Sequence, residues 1–246
     1  MSISAFLRMV AVEFLKLRRS LVLLLCAAAP TFVALLALLM FMRWGKPEAW
    51  ERFTFGGAAM WAYFMLPMTI TALTVLIAQL EHGPKAWNHI LALPVPRWQI
   101  FCAKAFIVVA LAGAMTAALA LMLPLAGMLG ERTEPGDQLL GAVPWAGTAR
   151  LLGKMYAGSI LLIAVQLWMA LRFKSFVPPL VTGIGGTFVA VAATSAEEGA
   201  YFPWLIPTNA LATNPERAAM AIDIGLYGGL LLLGAMVIHM SRAEAR

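Results

Sequence analysis

Few residues in this chain are of types that perform chemistry, and their spacings limit what that chemistry can be. His82 and His89 stand seven positions apart, two turns on one helix. A metal held by two such histidines needs them about one turn apart or supported by further ligands. The two cysteines, Cys26 and Cys102, suggest neither a disulfide framework nor redox chemistry. The run Gly147-Thr-Ala-Arg-Leu-Leu-Gly-Lys-Met155 resembles a phosphate loop, but its second glycine comes one residue late. Methionine then stands where a hydroxyl residue would hold magnesium, so the match is by chance. Without an assembled nucleophile, acid/base pair or metal cluster, the chain is expected to have no catalytic site, metal or cofactor of its own. Any nucleotide hydrolysis must come from a partner.

One carboxylate, Asp223, falls inside a long apolar run, about a turn and a half from its start. Such a group marks a transport site by default, unless it sits at the interface facing water. Tyr63, Thr71, Gln79 and Gln166 are among the few other polar groups in these runs. They are candidates for a substrate path, or for hydrogen bonds between packed helices.

The elements that would carry these residues are set by composition. The 246 residues are 62% hydrophobic and 12% charged, against about 25% charged in a soluble domain. Six runs at 20–42, 56–80, 105–128, 151–171, 176–195 and 218–240 are near or above the roughly 20 residues that cross a bilayer as a helix. Transmembrane β-strands would be shorter and would alternate polar with apolar residues. The expectation is an all-α polytopic membrane protein, a single domain over 1–246 with six transmembrane helices.

Phe6, Val10, Phe14 and Leu17 recur at helical spacing, with Arg8, Lys16 and Arg19 roughly opposite. Residues 1–19 are therefore read as an amphipathic interfacial helix, with a plain extension of the first span as the alternative. The first run is too long and too firmly followed by other spans to be a signal peptide. Six crossings put both termini on one side, and Lys16, Arg18 and Arg19 before the first span place that side in the cytoplasm. The net charge of +6 has no interleaved aromatic platform, so it suits membrane lipids and not nucleic acid.

Pro30, Pro67 and Pro124 lie inside spans and read as kinks. Gly225 and Gly229, and the stripe Ala110, Ala114 and Ala118, suit close packing either within the chain or against a second subunit. The apolar passages 139–145 and 202–212 carry tryptophan and proline and are expected to rest at the outer headgroup level, as a cap or as a gate.

Between the second and third spans, charges, histidines and prolines crowd into residues 79–100. Gly83-Pro84 favours a helix start, and Pro94 and Pro96 end that helix. A short cytoplasmic helix over 83–92 follows, with Trp87 and Leu91 on one face for a soluble partner or for the membrane interface.

Glu81, Gly83, this short helix, Leu93-Pro94-Val95, Arg97 and then Lys104 at the foot of the next span together resemble ABC-2-type transporter permeases. The likeness covers the whole chain and is similar in particular to six-span permeases of bacteriocin or lantibiotic immunity and antibiotic export. It implies that 83–92 is a coupling helix seated in a cytosolic ATP-binding subunit. Glu81, Gly83, Pro84, Lys85, Trp87, Leu91, Leu93, Pro94 and Arg97 would then form the coupling interface, with Glu13 and Lys16 of the interfacial start. Pro84 stands where many relatives carry a hydroxyl residue, which departs from the pattern at the helix cap. The resemblance further implies two ABC ATPase subunits holding ATP and magnesium, and a second permease chain, identical or paralogous. The location would be the bacterial inner membrane, and the cargo an amphiphilic peptide, antibiotic or lipid-like molecule. An ion-coupled small-solute carrier, or a non-transporting scaffold or sensor, are the alternatives that the residues themselves leave open.

Overall fold

Apolar runs of this length satisfy their backbone polar groups most economically as helices, and a computed structural model of the chain is built from them. It describes residues 3–18, 20–44, 48–82, 95–133, 139–194 and 197–242. The helices are α1 (Ile3–Leu17), α2 (Leu21–Trp44), α3 (Trp50–His82), α4 (Arg97–Thr133), α5 (Trp145–Arg172), α6 (Val177–Ala192), α7 (Ile206–Asn209) and α8 (Pro215–Arg242). Five of them, α2, α3, α4, α5 and α8, are long and apolar enough to cross a membrane. The expected span at 176–195 is α6, whose 16 residues make about 24 Å of helix against a hydrocarbon core of about 30 Å. The expected helix at 83–92, with Gly83, Pro84, Lys85, Trp87, Leu91, Leu93 and Pro94, lies outside the described residues.

Pro30 and Pro124 are carried inside continuous helices. Pro67 is different, because it follows a π-helical turn at Trp61–Met65, where the Leu66 N–H reaches back to the Trp61 carbonyl. Proline has no N–H to give the carbonyl four residues earlier, which here is that of Tyr63. A second π-helical turn occupies Ile224–Gly228 in α8.

Two glycines decide how α8 seats on α5. A Cβ at Gly225 would lie 2.3 Å from the Gly158 carbonyl oxygen, and one at Gly229 would lie 2.5 Å from the Ile160 carbonyl carbon. The small-residue spacing in α8 therefore serves packing within the chain. Ala110 and Ala114 of α4 are exposed, beside Phe106, Leu121 and Leu125.

The two apolar passages part company. Leu139–Leu140 pairs in parallel with Glu48–Ala49, and the Leu139 N–H donates to Glu131 Oε1 at 3.0 Å. Residues 204–209 are buried within the fold. The reason is room left by glycine: Trp204 lies against Gly186, and Ile206 against Gly158.

Helix α1 turns only part of its apolar stripe into the protein. Leu17 is 2% exposed, but Phe14 is 49% exposed, and the buried face runs through Glu13. Lys16, expected on the polar side, turns inward with it.

Candidate functional site

Glu13 and Lys16 are three residues apart on α1 and so share a face. Glu81 stands in the last turn of α3, and Lys104 two turns into α4. These four side chains meet. Lys104 Nζ donates to Glu13 Oε2 at 2.8 Å and to Glu81 Oε1 at 2.5 Å. Lys16 Nζ donates to Glu13 Oε1 at 2.6 Å and to Glu81 Oε1 at 3.0 Å. Each ammonium group thus touches both carboxylates, and the four charges cancel.

Three of them are out of solvent, with Lys104 0%, Glu81 1% and Glu13 4% exposed. Buried ions of this kind persist only when paired and hydrogen-bonded. A carboxylate in the last turn of a helix also opposes the helix dipole, so Glu81 depends on the two lysines for its place. Burial alone would raise the Glu13 carboxyl, yet Lys104 and Lys16 hold it below its ordinary value. Burial alone would lower Lys16, and its hydrogen bond to Glu13, with the charges of both carboxylates, raises it.

The cluster fastens α1 to both feet of the link between α3 and α4. Beyond that link, the Gln99 N–H donates to the Pro96 carbonyl as α4 begins, and Arg97 is exposed at its first residue. Glu13 and Glu81 thus share the same two lysines inside the fold and hold elements in place.

The candidates for a path or for packing separate into three groups. Thr71 and Gln166 meet at Gly183, where α3, α5 and α6 cross. A Cβ at Gly183 would stand 2.1 Å from Thr71 Oγ1 and 2.7 Å from the Gln166 amide. In the orientation that satisfies both its ends, the Gln166 amide donates to the Pro179 carbonyl at 3.2 Å and accepts from the Gly183 N–H at 3.0 Å. Thr71 donates to the Pro67 carbonyl at 2.9 Å, so this polar waist is closed upon itself. Gln79 donates to the Lys174 carbonyl at 3.4 Å, tying the turn after α5 to α3. Asp223 is exposed, and Tyr63 lines a cavity at the far end of α3. The phosphate-loop-like run lies within the first turns of α5, where its backbone is helical.

Sequence reasoning named all four members of the charge cluster without joining them. A signal was present: Glu13 falls at helical spacing between Val10 and Leu17, an acid in an apolar stripe, and such an acid needs a cation. The pairing of Asn209 with Arg217, whose Nε donates to Asn209 Oδ1 at 3.1 Å, had no comparable signal.

Long apolar helices with a buried, neutral charge cluster at one end define a multi-pass membrane protein. The chain belongs to the ABC-2 transporter family: the family model described as ABC-2 family transporter protein matches residues 9–190. The match takes in most of α1 and of α6 and all four cluster residues. Comparison with curated proteins and with solved structures returned no match in either. Family membership makes the chain the membrane component of a transporter and implies association with an ABC ATPase.

Proposed function

We infer that the chain is the permease subunit of an ATP-driven exporter of amphiphilic molecules, working with two ATPase subunits and a second permease chain in the bacterial inner membrane. On this reading α6 and the chain just after it complete a sixth crossing and leave both termini in the cytoplasm. Energy enters from outside the chain, through residues 83–92 and α1. The observation that carries the reading is the neutral charge cluster, because it joins α1 to both feet of that link. A push on the link then moves α1, α3 and α4 as one body, and a buried neutral knot does so without dragging a lone charge through apolar surroundings. Glu13, Lys16, Glu81 and Lys104 act as positioning residues, while Trp87 and Leu91 are the groups offered to the ATPase.

The test is reconstitution with the separately encoded ATPase. Trp87→Ala should insert normally and lose stimulation of ATP hydrolysis. Glu81→Gln should weaken stimulation and loosen α1 as well. Transport at full rate without any ATPase would overturn the reading in favour of a carrier that acts alone.

A further inference from the structure

Helices α5 and α8 run side by side in the same direction, since Gly225 meets Gly158, Gly229 meets Ile160, and His239 meets Trp168 further along both. Their last turns lie at the charge-cluster end, where Gln79, two residues before Glu81, donates to the Lys174 carbonyl just past α5. Trp168 and His239 join these turns. The Trp168 Nε1–H donates to His239 Nδ1 at 3.3 Å, with the ring centroids 5.4 Å apart. An indole has one N–H and no acceptor, so His239 Nδ1 presents its lone pair. The imidazole proton then sits on Nε2, where it is a donor for a group outside the pair.

Each helix goes on for one more turn and ends on an arginine. Arg172 stands four residues beyond Trp168 and Arg242 three beyond His239, so each shares the face of the ring before it. Both are exposed, and neither makes an ion pair among the described residues. The described carboxylates at this end, Glu13 and Glu81, are already matched by Lys16 and Lys104. The side chains of residues 243–246 are one acid and one base, which leaves the positive balance standing. A groove of about 540 Å³ runs along the same face of α8, lined by Ala235, Ile238, His239 and Arg242. Its two apolar residues lie about one turn nearer the bilayer centre than its two polar ones.

From this arrangement we propose that the joined ends of α5 and α8 bind the phosphate headgroup of an anionic phospholipid in the adjoining leaflet. The order of groups follows that of the lipid. An acyl chain lies along Ala235 and Ile238, the phosphate accepts from His239 Nε2–H and from Arg242, and Arg172 adds to the attracting field. Arginines at a membrane boundary are ordinary. What makes this pair a site is the imidazole beside them, whose proton and orientation are fixed by Trp168. That the leaflet is the cytoplasmic one rests on the orientation proposed above. The binding itself does not, and it can be measured without the ATPase.

The detergent-solubilised full chain is titrated with dioleoyl phosphatidylglycerol or dioleoyl phosphatidylcholine, and native mass spectrometry counts bound lipid and chains per particle. One phosphatidylglycerol per chain should be retained in preference to phosphatidylcholine. Arg242→Gln should lower phosphatidylglycerol affinity at least about tenfold, the scale of one charge-assisted hydrogen bond. Trp168→Phe keeps a ring and removes the N–H that fixes His239, so it should reduce the preference for phosphatidylglycerol and leave phosphatidylcholine binding unchanged. Ile238→Ala should weaken both lipids and keep their ratio. Arg132→Gln, at an exposed arginine where α4 ends on the opposite side of the bundle, should change neither. Equal phosphatidylglycerol binding by wild type and Arg242→Gln would overturn the site. So would an equal loss in Arg132→Gln, which would mean diffuse attraction between charges. Full competition by glycerol 3-phosphate would overturn the lipid and leave a site for a soluble anion. A change in chains per particle with bound lipid unchanged would make this face a contact between copies and overturn the proposal. Transport without any ATPase would sink the exporter reading and leave this result untouched.

Discussion

Replacing Lys104 with methionine keeps an unbranched chain of similar length and removes the charge that binds both carboxylates. What remains is Glu13, Glu81 and Lys16, a net charge of −1, and Lys16 alone of the three has a side chain as much as 32% exposed. Removing one member of a buried pair costs about 3–5 kcal/mol, mostly as the penalty on the partner left behind. If that cost falls on the seat of α1, its docking equilibrium shifts by about 10² to a few times 10³. Hydrogen–deuterium exchange of the α1 amides in nanodiscs reads this directly, as loss of protection over residues 3–17. Glu81→Gln alone leaves a net +1 and should also loosen α1. In the double variant Glu81→Gln/Lys104→Met, the Glu13–Lys16 pair is neutral again, so the two losses should combine to less than their sum by about 0.5–3 kcal/mol. Unchanged protection in Lys104→Met, or strict additivity in the double variant, would refute the claim that these charges act as one body.

The depressed Glu13 carboxyl and the raised Lys16 ammonium set a pH window for the same docking. Glu13's contribution is full above its ordinary value of 4.5 and is lost as pH falls through its lower folded value. That of Lys16 is full below 10.5 and is lost as pH rises through its raised folded value. Protection of α1 should therefore plateau between these limits and fall away beyond them. Gly183→Ala should lower the thermal midpoint in detergent by the equivalent of about 1–3 kcal/mol, through collision with Thr71 and Gln166. Gly185→Ala, two residues on, meets nothing within 4 Å and should instead be neutral or stabilising by up to about 1 kcal/mol. Gly225→Ala should cost more than Gly183→Ala in the same assay, since the atom it strikes is the Gly158 backbone carbonyl and not a side chain.

Spans were legible because hydropathy is a property of the segment itself. Five of the six expected crossings are helices long and apolar enough to span a membrane. The sixth, α6, is short for a reason its own residues do not state. It ends at Ala192, and the chain beyond it goes on to bury Trp204 and Ile206 against glycines of α6 and α5. That outcome depends on Gly186 and Gly158, more than ten residues away from the passage they accommodate. For the same reason the apolar stripe of α1 is legible in its own residues, while the face that docks on α3 and α4 is not. The stripe is a local signal, whereas the charges that dock α1, on Glu81 and Lys104, lie 65 and 91 residues distant from their partners on α1. Tyr63 and Gln166 were visible as polar residues in apolar runs, but their separation into a cavity wall and a closed waist is decided by Pro67 and Gly183 on other turns.

The two ends of the bundle solve opposite problems. At the cluster, opposed charges are matched one for one and withdrawn from water, so their net field is small and their value lies in holding three helices in register. At the other end, Arg217 Nε donates to the Asn209 amide oxygen, which orients the guanidinium. Between the two, the waist at Thr71, Gln166 and Gly183 satisfies its hydrogen bonds internally. Motion imposed at the link therefore has a route to the cavity through α3 itself. Glu81, Thr71 and Tyr63 lie along that one helix, and its only departure from α-helical bonding is the π-helical turn that forms the cavity wall.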